Sequence, residues 1–234
     1  MAEELNFDGF DTVDSATLDF NIEQLSDYLK TQIEGFSGIR HFYKFRGGQS
    51  NPTYLIDTSA GGYVMRAKPH GEHPRGAHAV DREYKIMDAL GSTGVPTPRT
   101  YCLCEDKSVI GRDFYIMAYV QGRILWDPAL PEASKSERGK IYEAMIGAMA
   151  ALHSIDYQAV GLSEFGKQGD YLRRQVERWG SHNIEESAQQ FPLMKPIAVW
   201  LQENLPTESG CTLIHGDYKL ENLILHPERG QVIG

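Results

Sequence analysis

The stretch LIHGDYKLENLILHPERGQVIG, residues 213–234, decides how this chain is read. An apolar run leads into His215, Gly216 and Asp217. Asn222 follows five residues after the Asp, and a second apolar run begins at once. An Asp behind one strand and an Asn ahead of another bound a compact loop that can aim two polar side chains into one space. A carboxylate there can accept a proton from a hydroxyl, or orient that hydroxyl for attack. A carboxamide offers a neutral oxygen to a hard cation such as Mg2+, which takes oxygen ligands and keeps several waters. One residue for the nucleophile and a second for the metal is the division of labour of phosphoryl transfer. The same residues also fit a plain turn with a solvated Asp and a capping Asn, so the surrounding chain has to arbitrate.

The segments before the loop read mostly as helices. Residues 193–203 place Leu193, Ile197, Trp200 and Leu201 on one face, and residues 170–180 form another amphipathic helix. IYEAMIGAMAALHSI, residues 141–155, is apolar nearly all round, the pattern of a deeply buried helix. The helix starts within SERGKIYEAM, and Ser134 or Ser136, at the end of the loop QGRILWDPALPEAS, can cap it. Further upstream, strands dominate. FYIMAYV and TYCLCED read as strands joined by a turn near Ser108–Arg112. HAVDREYKIMDAL puts Val80, Tyr84, Met87 and Leu90 on one helical face, and GSTGVPTP breaks the chain after it. HFYKF, TYLIDTS and YVMRAKP read as three antiparallel strands within residues 41–69, with RGGQSNP between the first two and AGG as the second turn. Leu18, Ile22, Leu25, Leu29 and Ile33 repeat at helical spacing, and Gly35 and Gly38 end that helix. The expected division is a polar N-terminal tail over 1–17, a β-rich lobe over 18–120, and an α-rich lobe with the quoted loop over 121–234. A cleft between two such lobes suits a small ligand.

Bulk properties narrow the classes. The 234 residues suffice for a substantial core, and 41% hydrophobic with 24% charged residues is ordinary for a globular protein. With 32 acidic against 23 basic side chains the net charge is -9, which argues against a general nucleic-acid surface. No apolar run reaches about eighteen residues, so no membrane-spanning helix is expected. The acidic start MAEELNFDGF lacks a basic, apolar leader. Three Cys, Cys102, Cys104 and Cys211, give no disulfide framework, so reduced thiols and a cytoplasmic location are expected. The Cys-x-Cys pair lacks partners for a zinc site, and His70, His73 and His78 lack ligand spacing.

HGDYKLEN resembles the catalytic-loop pattern His-x-Asp-x-x-x-x-Asn of the aminoglycoside phosphotransferase family, whose fold is similar to protein kinases. The other segments match in order. RGGQSNPTYLI resembles the nucleotide-loop hairpin, YVMRAKP the strand with the phosphate-pairing base, and AVDREYKIM the helix bearing that base's Glu partner. FYIMAYVQG resembles the hinge strand, and MAALHSID the buried helix of the second lobe. GGQSNPTYLI, HAVDREYKIMDALGSTGVPTP, WDPALP and LIHGDYKLENLI are most similar to the phosphotransferase domain fused to acyl-CoA dehydrogenases and to its free-standing bacterial relatives. The resemblance spans about residues 20–234. It implies an α+β, two-lobed, protein-kinase-like fold and an ATP- and Mg2+-dependent transfer of the γ-phosphate to a hydroxyl of a small molecule. A hydroxyacyl compound is a reasonable acceptor.

Site residues follow from the same resemblance, with a physical reason beside each. Asp217 is the catalytic residue and Asn222 the metal ligand. Gly47 and Gly48 permit close backbone approach to phosphates, and Gln49, Ser50 and Asn51 could add donors. Arg66 aligns with the phosphate-pairing position, which is Lys in many relatives. Lys68 lies one pleat repeat away on the same strand side and stays open as the alternative. Glu83 is the expected partner of that base. Met117, Ala118 and Val120 would hold an adenine, the last two through backbone bonds, with Tyr119 between them. His215 would hold the loop, and His153 reads as a core or loop histidine. A second metal-binding Asp is expected on a strand shortly after Gly234, so the chain is read either as a fragment or as a short product that binds Mg2+-nucleotide poorly. Two other readings stand beside the enzyme: a nucleotide-binding pseudokinase or scaffold without turnover, and an interaction module that binds no nucleotide.

Overall fold

The computed structural model describes residues 10–13, 17–46, 51–71, 78–167, 169–182, 191–207 and 210–234. Six strands among them form one antiparallel sheet. In chain order they are β1 (Phe10–Thr12), β2 (His41–Phe45), β3 (Thr53–Thr58), β4 (Gly61–Ala67), β5 (Thr100–Cys104) and β6 (Phe114–Ala118), and their spatial order is β1-β2-β3-β4-β6-β5. The β3–β4 hairpin pairs Thr58 with Gly61 and Thr53 with Arg66. Its turn is fixed by the Thr58 hydroxyl, which donates to Gly61 O at 2.7 Å and accepts from Ala60 N–H at 3.1 Å. The three strands expected within 41–69 are therefore present in antiparallel register. Within the segment read as a polar tail, Phe10–Thr12 pairs with β2 as an edge strand, and the Phe10 ring sits 4.3 Å from that of Phe45.

Helix α1 (Ile22–Gln32) begins four residues after Leu18 because Asn21 caps it: its side chain accepts the N–H groups of Glu23 and Gln24. Leu25, Leu29 and Ile33 pack onto one sheet face with Phe42, Tyr54, Met65 and Ile116, forming the main core. Arg112, almost fully buried, grips Asp19 with both terminal nitrogens at 2.5 and 2.9 Å and ties the segment before α1 to the start of β6. The turn expected near Ser108–Arg112 is a short helix, α3 (Lys107–Ile110), capped by Asp106 and closed by Gly111 at φ 80°. Helix α2 (Val80–Leu90) lies along β5 and β6.

Helix α4 (Lys135–His153) starts from Ser134, whose hydroxyl accepts Glu137 N–H at 3.2 Å; Ser136 lies inside the helix. Its apolar-all-round sequence predicts deep burial, but Ile141 and Leu152 are its buried residues while Ile146 is 54% exposed. The apolarity comes largely from Ala144, Gly147, Ala148, Ala150 and Ala151, which are cheap to leave in water. Ile141 joins Leu130, Leu220 and Leu225 in a second core under the quoted loop. Of the strands expected on either side of that loop, the one before it is not formed at residues 213–214, and the one after it is reduced to single bridges, Leu225 to Arg123 and Leu225 to Val232. Gly122 lets them meet: a Cβ there would stand 2.4 Å from Ile224 and 2.5 Å from the Leu225 carbonyl.

The chain forms two compact units, Met1–Leu152 with His215–Gly234, and His153–Ile214. The second contains α5 (Tyr171–His182) and α6 (Met194–Glu203), which pack on each other. No helix among the described residues is long and apolar enough to cross a membrane.

Candidate active site

Strand alternation sets the first cluster of candidate residues. Tyr63, Met65 and Ala67 of β4 belong to the core under α1, so Arg66 turns to the other sheet face. There Arg66 Nε lies 2.8 Å from Glu83 Oε2 of α2, a close ion pair not aligned as a hydrogen bond through that nitrogen. Arg66 also donates to the Thr53 hydroxyl at 3.5 Å. The Glu83 carboxylate takes two further donors: Tyr115 Oη on Oε2 at 3.1 Å and Asn51 Nδ2 on Oε1 at 3.0 Å. Burial, reinforced by the Glu83 charge, pushes the Tyr115 hydroxyl well above its ordinary pKa, so it stays a donor. Glu83 is thus held from three sides and holds Arg66 in turn.

Lys68 takes a different partner. Its ammonium sits 2.5 Å from Asp113 and 3.8 Å from Asp81, not on Glu83. The hydrogen bond from Lys68 to Asp113 raises the lysine pKa above its usual value. Asn51, read as a phosphate donor, is 2% exposed and directs its amide to Glu83 and His78 instead. Gly47, Gly48, Gln49, Ser50 and His73 lie outside the described residues.

The expected hinge follows β6. Met117, Ala118, Tyr119 and Val120 are half-buried. Ala118 N–H donates to Arg99 O at 2.7 Å and Tyr119 N–H to Gly62 O at 3.2 Å. Those amides are taken within the protein, so an adenine edge at Ala118 would have to use its carbonyl. Tyr119 packs on Gly62, where a Cβ would come within 3.0 Å of the tyrosine Cβ.

The loop residues form a second cluster, in the same compact unit. Gly216 at φ 84° makes the sharp turn into Asp217. His215 Nδ1 accepts Asp217 N–H at 3.3 Å, an intra-loop bond. The Tyr218 hydroxyl donates to Met145 O of α4 at 2.5 Å, and Leu220 and Leu223 are buried. The 3-10 turn Leu220–Asn222 brings Asn222 back, so its Nδ2 donates to Asp217 O at 2.8 Å and to Asp217 Oδ2 at 3.0 Å. That hydrogen bond, with Lys219 close by, holds the exposed Asp217 carboxyl below the usual aspartate range. Lys219 Nζ lies 3.4 Å from Asp217 Oδ2 and also contacts Glu221. The sequence reading passed over Lys219; the Asp-x-Lys spacing on a turn was the available signal.

The donor chemistry fits a hard cation. Both Asn222 bonds run through its nitrogen, which leaves the neutral amide oxygen as the atom it could offer a hard cation. Mg2+ accepts such a single protein oxygen and fills its shell with water, phosphate and further oxygen ligands.

The chain matches the model of the phosphotransferase enzyme family over residues 41–234. It is 40% identical over 231 residues to "Probable acyl-CoA dehydrogenase IBR3" of Arabidopsis thaliana, covering 92% of this chain and 28% of that protein. A crystal structure from Ralstonia eutropha JMP134, provisionally named an aminoglycoside phosphotransferase, is 43% identical with a TM-score of 0.79, covering 92% of this chain and 63% of that one. The streptomycin–ATP complex of APH(2″)-IIa has the same fold at 17% identity and a TM-score of 0.60, over 90% of this chain and 68% of that one. The architecture is therefore the α+β, protein-kinase-like one expected from the sequence. The chain spans 20–28% of the length of the curated relatives it matches.

Proposed function

The chain belongs to the phosphotransferase enzyme family, and on that premise we propose that it transfers the γ-phosphoryl group of ATP to a hydroxyl of a small molecule. The observation that carries this reading is the exposed Asp217 carboxylate, held by Asn222 and kept ionised. In the proposed reaction Asp217 orients the acceptor hydroxyl and takes its proton as the new O–P bond forms. The bond between the γ-phosphorus and the bridging oxygen breaks, and ADP leaves. Arg66, braced by Glu83, pairs with the nucleotide phosphates; its guanidinium can bind them bidentately. Lys68, engaged by Asp113, has the weaker claim to that role. Residues 18–120 would hold the nucleotide, with Met117, Ala118 and Val120 along the base and Gly47, Gly48 and Ser50 over the phosphates. Residues 121–234 would carry the catalytic loop. Asn222 would hold Mg2+, which when bound neutralises phosphate charge.

One relative is named a probable acyl-CoA dehydrogenase, and a phosphoryl acceptor must carry a hydroxyl; together these support a hydroxyacyl compound as acceptor. A cytoplasmic site of action suits the free thiols of Cys102, Cys104 and Cys211. The arginine at the phosphate-pairing position favours the second reading, a nucleotide-binding pseudokinase. Two measurements decide: the thermal shift with ATP, with and without Mg2+, and ADP release across an acceptor panel including hydroxyacyl thioesters. A Mg2+-enhanced shift with acceptor-dependent ADP release is expected. Binding that ignores Mg2+, with no phosphorylated product, would leave the pseudokinase; no binding at all would leave an interaction module.

A further inference from the structure

Asn51 is 2% exposed, and a buried carboxamide must satisfy both of its ends. Its Nδ2 is 3.0 Å from Glu83 Oε1, and its Oδ1 is 2.9 Å from His78 Nδ1. Chemistry fixes the direction of every bond in this chain. Glu83 already faces the Arg66 guanidinium and accepts from the Tyr115 hydroxyl, so toward Asn51 it presents an acceptor oxygen. The Asn51 nitrogen must therefore face Glu83, and the amide oxygen is left for His78. His78 must then carry its proton on Nδ1. His78 reaches this position with φ 56°, in the left-handed region that a histidine enters rarely, one residue before the N-terminal turn of α2. Strain of that kind persists only where the surroundings over-determine it, and the bond to Asn51 is one such restraint.

We propose that Asn51, locked by His78, is a positioning residue that fixes the Glu83 carboxylate and through it aims the Arg66 guanidinium at the nucleotide phosphates. The inference rests on the phosphotransferase reading for its consequence and on the hydrogen-bond directions for its mechanism. Without Asn51 the Glu83 carboxylate keeps its contacts with Tyr115 and Arg66 on Oε2 but loses the one described on Oε1, so it can pivot about the Oε2 edge and carry the Arg66 guanidinium with it. A sequence reading treats Asn51 as one more polar residue of a nucleotide loop; its burial gives it this different task.

The test uses the whole chain and two kinds of readout. The first is nitrogen NMR of the His78 ring, which reports the tautomer without any ligand. The second is affinity for a non-hydrolysable ATP analogue with Mg2+. Wild type is expected to show the Nδ1–H form. Asn51→Ala removes the acceptor that holds the proton on Nδ1, so the Nδ1–H signature should weaken or vanish, and analogue binding should fall by about tenfold or more. Asn51→Asp keeps an acceptor for His78 but sets a carboxylate against Glu83, so it should keep the Nδ1–H form and still lose affinity. His78→Gly, which suits the left-handed backbone, is the second variant should the Asn51 variants not fold, and should lower affinity several-fold. Wild type in the Nε2–H form, or variants that bind as tightly as wild type, would overturn the proposal. If wild type binds no nucleotide at all, the phosphotransferase reading falls, while the tautomer measurement still decides whether the Asn51 lock exists.

Discussion

Asn222 Nδ2 reaches back across one 3-10 turn to Asp217, 3.0 Å from Oδ2 and 2.8 Å from the carbonyl. The five-residue spacing of the quoted loop thus places its carboxamide on its carboxylate. Asp217→Asn would keep the shape and remove the base. Turnover is expected to fall by roughly 10²–10⁴-fold, the usual contribution of a positioned base, with affinity for ATP changed far less. Steady-state rates beside calorimetric nucleotide binding would check this; equal losses in both would move Asp217 out of the chemical step.

The same contact sets a pH dependence. A carboxyl whose folded pKa is depressed is ionised down to lower pH, so the acid limb of kcat/KM should lie below the ordinary aspartate range. Any stability linked to this group is present above the unfolded pKa and lost as pH falls through the folded one. The carboxyl is exposed, so the effect should be sought in rate rather than in stability. Removing the Asn222 hydrogen bond with Asn222→Ala should move the limb upward, and an unmoved limb would assign it to another group.

Arg66 and Lys68 are separable by their partners. Arg66→Ala breaks the pair with Glu83 at 2.8 Å and should weaken ATP binding by about tenfold or more. Lys68→Met breaks the pair with Asp113 and should cost about 1 kcal/mol in urea unfolding, modest because the lysine is partly exposed. Its affinity for ATP should change less than about threefold. The Lys68 pKa is raised, so its contribution is fully present below the unfolded lysine pKa and lost only as pH rises through the folded value. The stability difference should therefore be flat through neutral pH and shrink only in strong alkali. A Lys68 variant that loses nucleotide as fully as Arg66→Ala would reverse the assignment.

Much of this was legible because it follows from period and punctuation. Alternation in YVMRAKP puts Met65 in the core and Arg66 on the opposite face, and Ala60–Gly61–Gly62 marks the hairpin turn. HGDYKLEN states its loop through Gly216 and the Asp–Asn spacing. What stayed hidden depends on partners distant in sequence. Nothing local says that Arg112 closes on Asp19, 93 residues away, or that Phe10 finds Phe45. The destination of the Asn51 amide is set by Glu83, and that of Lys68 by Asp113, both fixed only once strands and helices pack. Helix α4 misled because alanine and glycine score as apolar yet demand little burial.

Two glycines on either side of the second core should respond in opposite directions. At Gly122 an added Cβ meets Ile224 Cγ2 at 2.4 Å and Leu225 O at 2.5 Å. Isoleucine can shift, but the carbonyl is the acceptor of Arg123 N–H at 2.8 Å and cannot withdraw without breaking the bridge that docks the loop's hairpin. Gly122→Ala should therefore cost about 1–3 kcal/mol, as overpacking does, and speed amide exchange at Leu225 and Ile233. At Gly147, inside α4, a Cβ meets nothing within 4 Å. Gly147→Ala should stabilise by roughly 0.5–1 kcal/mol through helix propensity alone. Urea unfolding of the two variants beside wild type reads both signs at once. A Gly122 variant as stable as wild type would mean that the hairpin tolerates displacement and that the close approach of residues 122–123 is not what seats Asp217 and Asn222.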